Sequence, residues 1–312
     1  MSGTSTQTAP GTDSMPSLRH ASVGDAMHPG IVSCDADAFL TEAAQLMASH
    51  DVHCIVVMAA SHGEQGGDVV WGLISDLDLM HSGMRPGSHR SARELASEPV
   101  VSVRTTMPLR HAGEKMLEHG VSHMVVIDPE TTRPIGVLST LDVIGVLAGK
   151  DSRIQTSPEV TGSLTTRMPH GGNYLMPSLP HATVSDAMHP GILACEPDAS
   201  LPEVARIMVT SHVHCVAVVG ISHEEPECGV WSAISDQDLL RAGLRDGETP
   251  TARAIARQPL VTVEPSMQLR EAGELMAENG VTHLVVVEPR TERPIGILST
   301  ADIAGVLAWG EV

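Results

Sequence analysis

The sequence predicts an α/β protein built from four related β-α-β-β-α units that are paired into two modules. Two long internal repeats carry the first part of this prediction. Residues 21–34 (ASVGDAMHPGIVSC) return as residues 182–195 (ATVSDAMHPGILAC) with ten of fourteen positions identical, and residues 133–142 return as residues 293–302 with eight of ten identical. Repetition at a nearly fixed offset indicates a duplicated structural unit, so the chain has two similar halves.

A shorter motif, Gly-hydrophobic-x-Ser-x-x-Asp, divides each half again. Its four copies end at Asp78, Asp142, Asp238 and Asp302, and the spacing between them is 64, 96 and 64 residues. The 32 extra residues in the middle indicate a linker at 149–181, which is rich in Ser, Thr, Pro and Gly. The expected domains are a flexible tail at 1–20, units at 21–88, 91–148, 182–248 and 251–309, and this linker.

The first unit shows the elements in order. A short strand is predicted at 31–34, and a helix at 40–50 because apolar residues recur there at helical spacing (Leu40, Ala43, Ala44 and Met47). Strands follow at 54–58 and 69–74, and a second helix begins at Ser75. The runs CIVVM and MVVI contain no polar residue, which is typical of strands buried on both faces. Because a unit of this size buries little surface alone, the units are expected to pair.

Composition disfavours several functional classes. The net charge of −19 repels nucleic acids and anionic lipids, and five aromatic residues in 312 are too few for base-stacking platforms. Five cysteines without a Cys-x-x-Cys pair do not form a disulfide scaffold. No apolar run reaches membrane-spanning length, and residues 1–20 lack a secretion signal. These observations predict a soluble, cytoplasmic, acidic protein that binds neither nucleic acid nor membrane.

The repeated motif is the strongest functional signal. Its Ser caps a helix, and an acid three residues later lies in the first turn, where the helix dipole favours negative charge. That carboxylate can also accept hydrogen bonds from the two hydroxyls of a ribose, while the motif glycine lets the backbone approach a ligand. Helix capping alone also explains one isolated copy. The glycine stands at 72, 136 and 296, and Ser232 replaces it in the third unit.

With these motifs the chain resembles the cystathionine-β-synthase (CBS) domain family, over residues 23–147 and 184–307. Two paired units of this family form a Bateman module. The resemblance implies that the modules bind AMP, ADP, ATP or S-adenosylmethionine as regulatory ligands between paired units and modulate a separate, unidentified protein partner. No cofactor is required by this interpretation. The two modules would face each other within one chain or across a homodimer.

The resemblance also implies particular ligand-binding residues. The ribose would bind Asp78, Asp142, Asp238 and Asp302, and four serines would lie near the ribose or phosphate, namely Ser75, Ser139, Ser235 and Ser299. The family often has His or Arg facing the phosphate just before the second strand, and here those positions hold His53, His123, His214 and His283. Ile31 and Ile192 follow the turn-forming sequence His-Pro-Gly and would contact adenine.

The sequence contains none of three common catalytic motifs, namely the P-loop, the Gly-x-Ser-x-Gly elbow and His-Glu-x-x-His. We therefore expect a non-catalytic sensor. One alternative is a scaffold that has kept the fold without a ligand. Another is a metal- or redox-responsive protein, based on His50, His53 and Cys54, their counterparts in the second half, and a disulfide from Cys34 to Cys54. Adjacent strand residues point to opposite faces, which argues against a shared metal ion.

Overall fold

A computed structural model describes residues 18, 20–60, 68–83, 90–96, 99–149, 177–221, 228–245, 250–256 and 260–309. Most of the expected tail at 1–20 and of the expected linker at 149–181 lies outside these residues. In the described part of the chain, no helix combines the length and the apolar content that crossing a bilayer requires.

The first module contains the elements of units 1 and 2. Unit 1 comprises α1 (Val23–Ala26), β1 (His28–Pro29), β2 (Ser33–Asp35), α2 (Leu40–His50), β3 (Cys54–Ala60), β4 (Asp68–Ser75) and α3 (Asp76–Gly83). Unit 2 comprises α4 (Ala92–Leu95), β5 (Ser102–Arg104), α5 (Leu109–His119), β6 (His123–Ile127), β7 (Pro134–Ser139) and α6 (Thr140–Leu147).

The second module repeats this order. Unit 3 comprises α7 (Val184–Ala187), β8 (His189–Pro190), β9 (Ala194–Cys195), α8 (Leu201–Ser211), β10 (Cys215–Ile221), β11 (Cys228–Ser235) and α9 (Asp236–Gly243). Unit 4 comprises α10 (Ala252–Ile255), β12 (Thr262–Val263), α11 (Leu269–Asn279), β13 (His283–Val287), β14 (Pro294–Ser299) and α12 (Thr300–Trp309). The predicted fold of four β-α-β-β-α units is confirmed.

Local predictions for unit 1 agree closely with the structure. The helix predicted at 40–50 is α2, and its apolar stripe buries Ala43, Ala44 and Met47. The strand predicted at 54–58 is β3, which continues to Ala60, and its first four residues are buried as the unbroken apolar run indicated. The first strand, β2, lies two residues later than predicted at its start and one residue later at its end.

In each module the first unit contributes one short strand to the sheet of the second unit. We call these strands, β1 and β8, the lead strands, because each is the first strand of its module along the chain. The lead strand β1 of unit 1 pairs with β7 of unit 2, so that the sheet order is β1-β7-β6-β5. In the same way β8 of unit 3 pairs with β14 in the order β12-β13-β14-β8, while units 1 and 3 keep three-stranded sheets.

The lead strands explain the motif glycine in units 2 and 4. A Cβ atom at Gly136 would lie 2.3 Å from the carbonyl oxygen of His28, and one at Gly296 would lie 2.5 Å from that of His189. In these two units the glycine therefore has a packing role, which makes room for the carbonyl group of the lead strand. No lead strand pairs with β11 among the described residues, which explains why Ser232 is tolerated and buried there.

The two modules pack against each other within one chain through their last helices. Helix α6 of unit 2 packs on α8 and α9 of unit 3, and α12 of unit 4 packs on α2 and α3 of unit 1. One apolar cluster joins Ile144 of unit 2 to Met208 of unit 3, and another joins Ala304 of unit 4 to Met47 of unit 1. We call this contact between the modules the seam.

The close approach at Gly136 generates a stability prediction. Replacing Gly136 with Ala forces β1 and β7 apart, and we expect the free energy of unfolding to fall by about 1–3 kcal/mol. Urea unfolding followed by circular dichroism measures the change. The matched control is Gly305→Ala in α12, where a Cβ atom meets no heavy atom within 4 Å. That variant should gain about 0.5–1 kcal/mol from helix propensity. Equal stability of the two variants would contradict the proposed role of the glycine.

Candidate functional site

A cavity of about 1060 Å³ lies where the four units meet. Three kinds of chain segment contribute to its wall: the N-termini of helices that follow the motif serine, the residues just before the second strand of each unit, and the chain that includes and follows the lead strand of unit 3. The residues from these segments are Ser75, Asp76, Leu77, Asp78, Asp236, Gln237, Ser299, Thr300, Ala301, Asp302, Gly120, Val121, Ser122, His123, His212, Val213, His214, Thr282, His283, His53, His189, Pro190, Gly191, Ile192 and Leu193.

Two aspartates form the polar centre of this cavity. The Asp76 Oδ2 atom accepts hydrogen bonds from His53 Nδ1 at 3.1 Å and from the Thr300 hydroxyl at 3.1 Å. Asp236 Oδ2 accepts the equivalent bonds in the other half, from His214 Nδ1 at 2.8 Å and from the hydroxyl of Thr140. Both threonines belong to the opposite module from the aspartate that they contact. These bonds therefore cross the seam.

Sequence analysis missed these aspartates, although the sequence contains a signal for them. The residue after the motif serine is Asp in units 1 and 3 and Thr in units 2 and 4. An ionised carboxylate only accepts hydrogen bonds, whereas a hydroxyl group can donate one. A helix that begins with Asp is therefore expected to contact a helix that begins with Thr, and the structure contains two such contacts, Asp76 with Thr300 and Asp236 with Thr140.

Burial and hydrogen bonding act in opposite directions on these acids. Burial by itself raises the pKa of Asp236, but the hydrogen bond from His214 and the nearby imidazoles lower that pKa to about 2. For Asp76 the same balance lowers the pKa below its ordinary value through His53. Burial lowers the pKa of His53, yet Asp76 more than offsets this and the resulting pKa is raised. Both aspartates are therefore ionised at neutral pH.

Two further histidines line the same cavity, and the Nδ1 atom of each faces a hydroxyl group. Ser122 Oγ lies 2.9 Å from His123 Nδ1, and Thr282 Oγ1 lies 2.9 Å from His283 Nδ1. Burial, followed by the nearby His53, lowers the pKa of His123 to about 4, and burial followed by His214 does the same for His283. These two imidazoles are neutral at pH 7.

The four acids singled out in the sequence all take part in helix capping. In each unit the Oδ2 atom of the motif aspartate accepts from the backbone N–H of the motif serine at 2.7 to 3.1 Å. The same oxygen accepts from the serine hydroxyl at 2.6 to 2.7 Å. Capping thus occupies one oxygen, Oδ2, of every motif carboxylate.

The second oxygens have different surroundings. Asp142 Oδ1 lies 2.8 Å from His28 Nε2, and Asp302 Oδ1 lies 2.9 Å from His189 Nδ1. Asp238 Oδ1 lies 3.5 Å from a guanidinium nitrogen of Arg241. Asp78 and Asp302 border the cavity, whereas Asp142 and Asp238 are not among its described lining residues.

The remaining predicted residues divide in a similar way. The four histidines His53, His123, His214 and His283 all line the cavity. Ile192, Ser75 and Ser299 do so as well. Ile31, Ser139 and Ser235 are not among the described lining residues, and Ile31 packs instead in the apolar cluster that joins the sheets of units 1 and 2. The structure therefore brings most of the predicted set into one cavity.

The metal and redox alternatives find little support in this geometry. Among the described residues, no group of three or more His, Cys, Asp or Glu side chains is placed to hold a metal ion. Cys34 and Cys54 are free and buried, so the disulfide considered between them is absent. Burial raises the pKa of Cys34 to about 11 and also raises that of Cys54, which keeps both thiols protonated.

Comparison with known proteins identifies the repeated unit. The family model described as CBS domain matches four segments of the chain, residues 23–84, 92–149, 184–245 and 252–308. Among curated proteins, the chain is 30% identical over 127 residues to CBS domain-containing protein YhcV of Bacillus subtilis, which covers 39% of this chain and 84% of that protein.

Two solved structures show similarity at lower identity. Protein MJ1225 of Methanocaldococcus jannaschii, described as a putative archaeal homolog of g-AMPK, is 17% identical with a TM-score of 0.37, over 91% of this chain and 99% of that chain. The CBS domain pair of protein MJ0100, solved in complex with 5′-methylthioadenosine and S-adenosyl-L-methionine, is 19% identical with a TM-score of 0.36 over 41% of this chain and 97% of that chain.

The two neutral histidines of the cavity, His123 and His283, generate a pH prediction. Their pKa is about 4 in the folded chain against an ordinary value of 6.5, so the unfolded chain binds more protons between these pH values. The contribution of these two imidazoles to stability therefore falls as pH falls through this window, by about 2 kcal/mol for each imidazole between pH 7 and pH 5. Urea unfolding at a series of pH values measures the slope.

The control for this prediction is a neutral replacement. The double variant His123→Asn, His283→Asn keeps a polar atom near the Ser122 and Thr282 hydroxyls but cannot be protonated, so its pH slope should be much flatter. The same change at exposed His119 should leave the slope of the wild-type chain unchanged. A double variant as acid-sensitive as the wild type would show that these imidazoles do not determine the acid sensitivity.

Proposed function

The chain belongs to the CBS domain family, and on that premise we propose that it is a non-catalytic regulatory protein of two Bateman modules. It binds an adenosyl ligand, such as AMP, ADP, ATP or S-adenosylmethionine, in the cavity between its four units. The bound ligand changes how the units pack and thereby modulates a separate protein partner.

One observation carries this proposal. One cavity is bordered by six of the residues that the family resemblance assigned to ribose, adenine and phosphate. These residues are Asp302, Ile192 and the histidines at the equivalent position of each unit, His53, His123, His214 and His283. The volume of about 1060 Å³ is at the upper end of the range typical of small-molecule sites. Aliphatic walls are available for an adenine ring, because Leu193 and Val213 also line the cavity.

The charge of the cavity favours ligands with few phosphates. Its described lining includes four aspartates, Asp76, Asp78, Asp236 and Asp302, and neither Lys nor Arg. His123 and His283 are neutral, and His53 and His214 already face Asp76 and Asp236. A triphosphate would therefore meet uncompensated negative charge. Adenosine, AMP and the sulfonium cation S-adenosylmethionine fit this field better than ADP or ATP.

The position of the cavity suggests how binding is transmitted. Asp78 and Asp302 belong to units 1 and 4, whose helices α3 and α12 pack on each other at the seam. A ligand with different affinities for two packings of these helices shifts the population toward the one that it binds better. The partner would recognise the surface that this shift changes.

A ligand-free scaffold is the second candidate function, and one observation favours it. All four motif aspartates cap their own helices, which gives them a structural role that needs no ligand. A scaffold would show no rise in melting temperature with any adenosyl ligand, whereas an occupied site raises it with ligand concentration.

Calorimetry with substituted protein tests the ligand site. We expect S-adenosylmethionine, adenosine and AMP to bind more tightly than ADP and ATP. Replacing Asp302 with Asn should weaken binding at least about tenfold, because the variant loses one charged acceptor for the ribose hydroxyls. Isothermal titration at pH 7 measures each affinity.

A matched variant separates ligand binding from helix capping. Asp186 caps α7 in the same way, with Oδ2 accepting from Thr183 N at 2.8 Å and Thr183 Oγ1 at 2.7 Å, and it is not among the described lining residues. Asp186→Asn should leave the affinities unchanged. Absence of heat with every ligand, or equal affinities in both variants, would refute the proposed function.

A further inference from the structure

We propose that His189 competes with the ribose hydroxyls of the ligand for the motif carboxylate Asp302, which lines the cavity with it. The second module thereby carries an internal competitor for the ligand. This inference rests on the proposed function and concerns the affinity of that same site.

The competition follows from the number of hydrogen bonds that each carboxylate already accepts. Asp302 Oδ2 accepts hydrogen bonds from the Ser299 backbone N–H at 2.7 Å and from the Ser299 hydroxyl at 2.7 Å. Both lone pairs of this oxygen are therefore engaged. Only Oδ1 remains for a ligand, and His189 Nδ1 lies 2.9 Å from it. Because an ionised aspartate only accepts, the imidazole N–H donates in this contact. A ribose diol that approaches Asp302 must therefore meet the imidazole.

The pairing of lead strand β8 with β14 places the His189 imidazole in this position. His189 pairs with Ile297 across β8 and β14, and its carbonyl oxygen passes close to Gly296. The next residues keep the chain on this path, because Gly191 adopts a left-handed φ of +85° immediately after Pro190. The backbone path of the lead strand thus places the His189 side chain next to Asp302.

The first module repeats the arrangement with a different ring atom. His28 Nε2 lies 2.8 Å from Asp142 Oδ1, while Asp142 Oδ2 accepts from Ser139 N at 2.8 Å and Ser139 Oγ at 2.7 Å. The side chain of His28 is 78% exposed and that of His189 is 30% exposed. The same contact thus occurs in both modules, but through different nitrogen atoms of the ring. The feature that the two modules share is the contact between an imidazole and the motif carboxylate.

The use of different nitrogens supplies matched conservative variants. Asn at 189 places an amide N–H near the position of the Nδ1 atom and preserves the donor to Asp302. Gln at 28 does the same for the Nε2 atom and Asp142. Ala at either position removes the donor.

Titration with adenosine and with 2′-deoxyadenosine tests the competition, since only adenosine carries the ribose diol. His189→Ala should bind adenosine about tenfold more tightly than the wild type, as expected when one competing hydrogen bond is removed. His189→Asn should bind with wild-type affinity. The affinity for 2′-deoxyadenosine should not increase in His189→Ala. Far-ultraviolet circular dichroism and melting curves verify that each variant is folded.

The outcomes separate this inference from the proposed function. If adenosine binds the wild type and Asp302→Asn weakens it, but His189→Ala binds equally or more weakly, then the histidine assists or ignores the ligand and the competition is refuted. If no adenosyl ligand binds any variant, the proposed function itself fails. Should His189→Ala unfold, His189→Leu, which also lacks a donor but keeps more of the volume of the ring, provides the same test with the same direction expected.

Discussion

The arrangement of the four units depends on two aspartates at the seam between the modules. Asp236 is buried and Asp76 is partly buried, and because both are ionised each needs donors from several directions. The backbone N–H of the following residue donates to the Oδ1 atom of each, at 2.8 Å in unit 1 and 2.7 Å in unit 3. A histidine of the same unit and a threonine of the opposite module supply the remaining donors. Neither module alone satisfies its aspartate.

This requirement fixes the register of the modules more than it adds to their stability. Buried charge pairs often contribute little net free energy, because desolvation offsets their attraction. The apolar packing of α6 and α12 across the seam supplies the favourable free energy. Asp76 and Asp236 select one alignment of those helices, since sliding either helix would leave a buried carboxylate without its hydroxyl donor. The cavity lies where this alignment brings the N-termini of α3, α9 and α12 together.

The same alignment determines the chemistry that the cavity offers. Helix N-termini attract negative charge, but here each of the four carries its own capping aspartate, and two of them also carry Asp76 or Asp236. The cavity therefore presents carboxylates and neutral imidazoles to a ligand, in contrast to the cationic groups that polyphosphates need. The lead strands add a further control by placing a histidine against Asp142 and Asp302. Architecture and ligand preference thus have a common origin.

Sequence analysis predicted the repeat, the elements and the capping aspartates, because these are local patterns. The helix at 40–50 and the buried strand from Cys54 follow from spacing and apolar runs within one unit. The pairing of β1 with β7 was not predictable in this way, and neither was the packing of Gly136 against the carbonyl group of His28. Sequence analysis also missed Asp76, whose partner Thr300 is 224 residues away. Contacts between units depend on packing that no local pattern encodes.

Crystals of the protein soaked with S-adenosylmethionine test the central claim most directly, namely that an adenosyl ligand occupies the cavity between the four units. The account predicts density for the ligand between units 1 and 4, with a ribose hydroxyl about 3 Å from the Asp302 Oδ1 atom and the His189 ring moved away from it. Density elsewhere, or a cavity without ligand and with the His189 contact intact at saturating ligand, would contradict it.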